Sequence, residues 1–273
     1  TITNKSQLKG QLEQLFRTAD HRYNSGMFSG DDIIFDLSCD VISEMIEGLY
    51  YPQSPYLFNI IEPHVLGKIY ELFLTEQLVA LKDGSIGLQQ KKECVNRSVV
   101  TTPTEIVKYM VEKTLTKVCA EKTPKELLKI RIADIACGSG VFLEEVFSYL
   151  QNYCVQWYLN AGQKEHLEEI GNHVYKLPLS EKKEILCSCI YGIDIDIHAV
   201  EVAKFSLLIK LIEGETAPSV ALVTPILPDL SANIFFGNAL VSEKEMQGIL
   251  NAESQRLDLV PFDWKKINKG DFF

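Results

Sequence analysis

Residues 130–143 read IRIADIACGSGVFL, an order of residue types that few backbones accommodate. Apart from Arg131 the opening is apolar and rich in β-branched residues up to Asp134, the composition expected of a strand buried in a parallel sheet. Residues 136–140 are all small, so the chain can turn sharply there with its backbone against a ligand. Val141, Phe142, Leu143, Val146, Phe147 and Leu150 then recur at helical spacing on one side, with Glu144 and Glu145 expected on the other. The stretch predicts strand, glycine turn and helix, the repeating unit of an α/β fold.

Three classes of ligand use such a turn, and spacing separates them. A dinucleotide fingerprint needs a third glycine where this chain has Leu143, and a phosphate-binding P-loop needs a lysine that is absent from the turn. Both also put an anion at the helix start, where Asp134 would repel it. S-adenosyl-L-methionine carries no phosphate, and its ammonium and sulfonium are cationic, so a carboxylate beside the turn suits it. A glycine turn that only packs is the remaining reading.

The same residues resemble the DPACGSGxFL turn of amino-methylating DNA methyltransferases, with Ile135 in the place of the proline. Three further segments are similar to segments of that family: TTPTEIVKYMV to YTPxxIVxxMV, GIDIDIHAVEVAKFSL to GxDIDPxAVxIAxxSL, and LPDLSANIFFGNAL to LPxLxxNIxxGNSL. RYNSGMF and LGKIYELFL are similar to the helical segment that precedes the catalytic domain in type I and type IIG restriction-modification enzymes. The resemblance implies part of a Rossmann-like, S-adenosylmethionine-dependent methyltransferase core preceded by an all-helical domain. It also implies methylation of the exocyclic amine of adenine in double-stranded DNA, in a host-defence system with restriction and specificity subunits or domains as partners.

Some site residues follow from position. Asp194 ends an apolar strand, where an acidic residue accepts hydrogen bonds from ribose hydroxyls; the plain alternative is that Asp194 and Asp196 only cap the next helix. Asn238 follows a short strand at 233–236, and its amide has the donor and acceptor to read the edge of adenine; a simple turn asparagine is the alternative. Others follow from the resemblance alone. Thr102 and Pro103 would lie against the methionine end of the cofactor, with Thr101 in the place of a tyrosine, and Ile195 would pack on the adenine. Asp134, Ala136, Gly138, Gly140, Phe142 and Ala239, the last in a serine's place, complete the expected lining.

Around this core the chain divides at about residue 94. Residues 1–94 read as helical: one stripe of Leu8, Leu12, Leu15 and Phe16, a second from Ile33 to Ile46 capped by Asp31 or Asp32, and a third from Pro63 through Leu78. Residues 83–98 read as a polar linker whose Lys91, Lys92 and Arg97 could meet a phosphate. In 95–273, a helix capped by Thr102 or Thr104 should bury Ile106, Val107, Met110, Val111 and Leu115. His166 and His173, in an insertion at 160–183, lack the spacing of metal ligands.

Asp and Glu outnumber Lys and Arg by 37 to 27, a net charge of −10 that argues against a stand-alone nucleic-acid-binding module. Seven scattered cysteines suit reduced thiols in a cytoplasm, and no apolar run is long enough for a membrane span. The chain begins with Thr1 and ends in Phe272 and Phe273, which reads as a fragment of a longer protein.

Methyl transfer to an aromatic amine needs acceptors that free the nitrogen lone pair from the ring. The family supplies them from an Asp/Asn-Pro-Pro-Tyr/Phe tetrapeptide, and this chain has no Pro-Pro dipeptide; Tyr56 follows the single Pro55. The run LVPFDWKKINKGDFF resembles the approach to that motif. The expectation is a cofactor-binding fragment without catalytic residues, inactive alone, its tetrapeptide and target-recognition domain lying downstream. Methyl transfer to RNA or protein glutamine, and a non-catalytic cofactor-binding scaffold, are the alternatives.

Overall fold

The structure is a computed structural model, and it describes residues 7–23, 33–54, 76–81, 83–90, 102–216, 226–241 and 260–264. Several expectations fall outside these residues: Asn24 to Asp32, Pro55 and Tyr56, the helix from Pro63 to Leu74, Lys91, Lys92, Arg97, Thr101, and the terminal Phe272 and Phe273. The chain forms two compact units, one of residues 1–62 and 215–229, the other of residues 63–214 and 230–273.

In the first unit, α1 (Leu8–Tyr23) and α2 (Cys39–Gly48) bury Leu8 and Ile42. The stripe from Ile33 to Ile46 is not one helix. Residues Ile33–Asp36 form a 3₁₀ turn, and α2 starts afresh behind Ser38, whose hydroxyl accepts the Val41 N–H. An N-cap serine in extended conformation ends one helical run and begins another, which the continuous apolar pattern concealed.

The second unit contains the sheet. Strand β1 (Glu76–Ala80) pairs antiparallel with β2 (Ile86–Gln90), so residues expected as the end of a helix and a polar linker form a hairpin, and the region is not all-helical. Asp83 makes the turn by accepting the Ser85 N–H. Next come α3 (Thr104–Cys119), a short α4 (Pro124–Leu127), β3 (Ile132–Asp134) and α5 (Val141–Asn160). A small hairpin of β4 (Glu168–Gly171) and β5 (Val174–Lys176) fills the insertion. It leads to α6 (Leu179–Cys189), β6 (Ile190–Asp194), α7 (Ile197–Ile212) and β7 (Ile234–Phe236).

Strands β3, β6 and β7 are parallel neighbours in that order, with Asp134 opposite Gly192 and Asp194 opposite Phe236. This is the α/β sheet read from the sequence. The buried face of α3 is narrower than expected: Val107, Val111, Leu115 and Cys119 are buried, whereas Ile106 and Met110 are each 49% exposed. Its N-cap is Pro103, and neither Thr102 nor Thr104 caps it. Among the described residues no helix is long and apolar enough to cross a membrane.

Asn233 ties the layers together in a way its neighbours do not announce. Its side chain is buried, and Nδ2 donates to Cys187 O at 2.9 Å and Ile190 O at 2.8 Å, joining the end of α6 to β6. Asn233→Ala would leave two carbonyls unpaired, at roughly 1–3 kcal/mol each. A chemical denaturation curve should show a loss of about 2–5 kcal/mol, and Asn233→Asp, which has the size but neither donor, should fare no better.

Candidate functional site

The strand-to-helix turn is built by two neighbouring carboxylates as well as by its small residues. Gly140 is the N-cap of α5 at φ 90, and a Cβ there would come within 3.1 Å of the Ala203 side chain on α7. Glycine is required twice over, by the left-handed backbone and by the close approach of the next helix. The Gly140 N–H donates to Cys137 O, and the Cys137 N–H donates to Ile193 O at 3.0 Å, which fastens the turn to β6.

Asp194 closes this arrangement from the end of β6. Its Oδ2 accepts the Gly138 N–H at 2.8 Å and its Oδ1 accepts the Asp196 N–H at 2.9 Å. One backbone donor of the turn that a phosphate could use is therefore held by the chain's own carboxylate. Two of the roughly four acceptor positions of Asp194 remain for another donor. Asp196 is a cap, as its position suggested, and accepts the His198 N–H at the start of α7.

Asp134 lies at the end of the adjacent strand, where its Oδ1 accepts the Ala136 N–H at 3.1 Å. Burial pushes its carboxyl above the usual aspartate range; the bond from Ala136 opposes this, and the negative charge of Asp194 adds to it. Cys137, in the turn between them, is kept a neutral thiol by burial and by the same two charges. A site with two crowded carboxylates is relieved by a cation or by hydroxyl donors, and an anion aggravates it.

The third strand brings Asn238 to the same end of the sheet. The Gly237 N–H donates to Asp194 O at 2.9 Å, which makes Asn238 the first residue beyond the contact. Its Oδ1 accepts the Leu240 N–H at 2.9 Å, fixing which way the amide faces. Ala239 is half-buried against the Ile193–Phe262 cluster, and Ile195 is half-exposed just past Asp194.

Asp134, Ala136, Gly138, Gly140, Asp194, Ile195, Asn238 and Ala239 thus occupy the carboxyl ends of three adjacent strands and the turns that follow them. Phe142 lines an open groove of about 370 Å³ beside β3, together with Asp134, Ile135 and, from α3, Met110 and Thr114. That groove shares only Asp134 and Phe142 with the expected lining. Thr102 and Pro103 stand at the start of α3, and no hydrogen bond joins them to the turn.

Two features were not anticipated. Glu144, expected on the solvent side of α5, is only 7% exposed and packs toward α7. Residues 260–264 return to the end of β7 and bond to Asn238 on both sides. The alternation of Phe262 and Trp264 across Asp263 was the available signal for an extended, half-buried segment.

Residues 111–256, more than half of the chain, match the family described as the DNA-methyltransferase domain of MmeI. The type II restriction enzyme and methyltransferase RM.Eco57I of Escherichia coli is 43% identical over 232 residues, covering 84% of this chain and 23% of that protein. The putative type II restriction enzyme and methyltransferase RM.MjaORFECS2P of Methanocaldococcus jannaschii is 25% identical over 270 residues, covering 80% of this chain and 21% of that protein. The chain spans less than a quarter of the length of either relative.

Proposed function

The chain belongs to the MmeI-type DNA methyltransferase family, and from that membership we propose that it is the cofactor-binding part of an adenine-specific enzyme. In this reading the whole protein methylates the exocyclic amine of adenine in double-stranded DNA within a restriction-modification system. The observation that supports the cofactor assignment is the Asp194–Gly138 bond, which fills a backbone donor of the turn with the chain's own carboxylate and so disfavours an anion there.

S-adenosyl-L-methionine, when bound, supplies a methyl group on a positively charged sulfur. Asp194 would accept the ribose hydroxyls, Ile195 would cover one face of the adenine, and Asn238 would pair with its edge. Asp134 would face positive charge, with Ala136, Gly138, Gly140, Phe142 and Ala239 forming the walls and Thr102 and Pro103 the methionine end. The residues that orient the target amine would come from sequence outside these 273 residues, which contain no Pro-Pro dipeptide. The chain by itself would bind cofactor without methylating DNA.

Calorimetric titration with S-adenosylmethionine tests this, and pH sharpens it. A cationic ligand favours ionised Asp134, so a proton competes with it. Affinity is fully present above the raised Asp134 pKa and is lost as pH falls through it. Binding should therefore weaken as pH is lowered from 8 toward the ordinary aspartate value of 3.8. Tight binding of NADH with none of S-adenosylmethionine would overturn the reading.

A further inference from the structure

The end of β7 is held by a segment that rejoins it from much later in the chain. The Asn238 N–H donates to Val260 O at 2.6 Å, and the Phe262 N–H donates to Asn238 O at 2.9 Å, so Asn238 is bracketed in a parallel bridge opposite Pro261. Phe262 is 4% exposed and packs against Phe235 at 5.3 Å between ring centroids, with Trp264 edge-on to it at the same separation. A Cβ on Gly237 would come within 3.2 Å of the Phe262 backbone and side chain, so the segment lies flush against the residue before Asn238. The Trp264 indole N–H donates to Ala239 O at 3.2 Å.

These contacts immobilise one residue from three directions. Both backbone groups of Asn238 are committed to the segment, and its Oδ1 is committed to Leu240, which leaves Nδ2 as the donor making no bond to another described residue. Phe262 and the ring of Trp264 both cover the apolar cluster at Ile193, and that packing needs no indole hydrogen bond. The indole bond to Ala239 adds nothing to that burial but restrains the backbone immediately after Asn238.

We propose that Phe262 and Trp264 are positioning residues that set how Asn238 and Ala239 meet the base of the cofactor. The proposal rests on the cofactor reading above and deepens it: recognition of the adenine edge is tuned by a segment that need not touch the ligand. Removing the indole bond should relax discrimination between bases while leaving the contributions of the ribose and the amino-acid end in place.

S-adenosylhomocysteine and S-inosylhomocysteine separate these effects, because they differ only where an amine and a ring acceptor become a carbonyl and a ring donor. Wild type should prefer the adenosyl compound by at least about tenfold, the scale of one mispaired polar contact. Trp264→Phe, which has the ring without the N–H, should bring that ratio toward unity. An equal loss for both compounds would mean a merely structural role and would overturn the proposal.

A second measurement does not depend on how that variant folds. The chain has two tryptophans, Trp157 and Trp264, so Trp157→Phe leaves Trp264 as the sole reporter. Its emission should change with S-adenosylhomocysteine and saturate with the calorimetric affinity. Binding without an emission change refutes the positioning role alone. Absence of any wild-type binding removes the cofactor reading and this inference together.

Discussion

Asp194→Ala is expected to weaken S-adenosylhomocysteine binding by about 10- to 100-fold and to destabilise the turn as well. The carboxylate accepts two backbone N–H groups, from Gly138 at 2.8 Å and Asp196 at 2.9 Å. Hydrogen bonds to an ionised group contribute about 1.5–3 kcal/mol each, and here one of the two anchors the glycine turn to β6. A ribose hydroxyl losing the same acceptor forfeits a comparable amount, about one to two decades of affinity. Asp194→Asn discriminates among the causes. Its amide has one oxygen and must present an NH₂ to either Gly138 or Asp196, so it should recover neither full stability nor full affinity. An alanine variant that binds as wild type does would exclude Asp194 from the site.

The turn and its flanking elements were legible because local patterns there agree with the tertiary structure. The strand ending at Asp134, the helix from Val141, the strand ending at Asp194 and the Asp196 cap all stand where the residues indicated. Each is a short-range signal, set by small residues, β-branched runs and caps. What escaped notice depends on distant partners. The hairpin at β1 and β2 contains Leu78 within an apolar spacing that also fits a helix, and only strand pairing decides between them. Ile106 and Met110 extend the helical stripe of α3 on paper, yet the neighbouring elements cover only the Val107–Val111–Leu115 face. The donors of Asn233 and the return of residues 260–264 to Asn238 bridge sequence separations that no periodicity encodes.

The site shows the same division. Sequence placed the carboxylates and the asparagine at strand ends, and the parallel register of β3, β6 and β7 gathers those ends on one edge of the sheet. It did not reveal that Asp194 already holds Gly138, because that bond spans two strand-turn-helix units. A residue chosen as a ligand for the cofactor is thus also part of the scaffold that shapes the turn. This is why the asparagine and alanine variants must be compared for stability as well as for binding.

Glu144 carries the second large effect, and its sign is opposite. Helical spacing put it on the solvent side of α5, but α7 covers that side, and the carboxyl is buried with Oε1 and the facing Ser206 hydroxyl making no full hydrogen bond. Burial raises its pKa from 4.5 to about 7; Lys210 and Ser206 pull it back, while Glu213 and Glu145 push it further up. The unfolded chain ionises Glu144 near 4.5, whereas the folded chain keeps it neutral to about 7. Between those values the native state binds more protons, so stability falls as pH rises through the window and stays lower above it. At about 1.4 kcal/mol per pH unit the full penalty is about 3 kcal/mol. Glu144→Gln removes the charge and retains the shape, so at pH 8 it should raise the melting temperature by roughly 5–10 °C. At pH 4.5 the same variant should melt close to wild type. A melting difference of equal size at both pH values would show that the glutamine acts through packing and that the buried proton has no part in it.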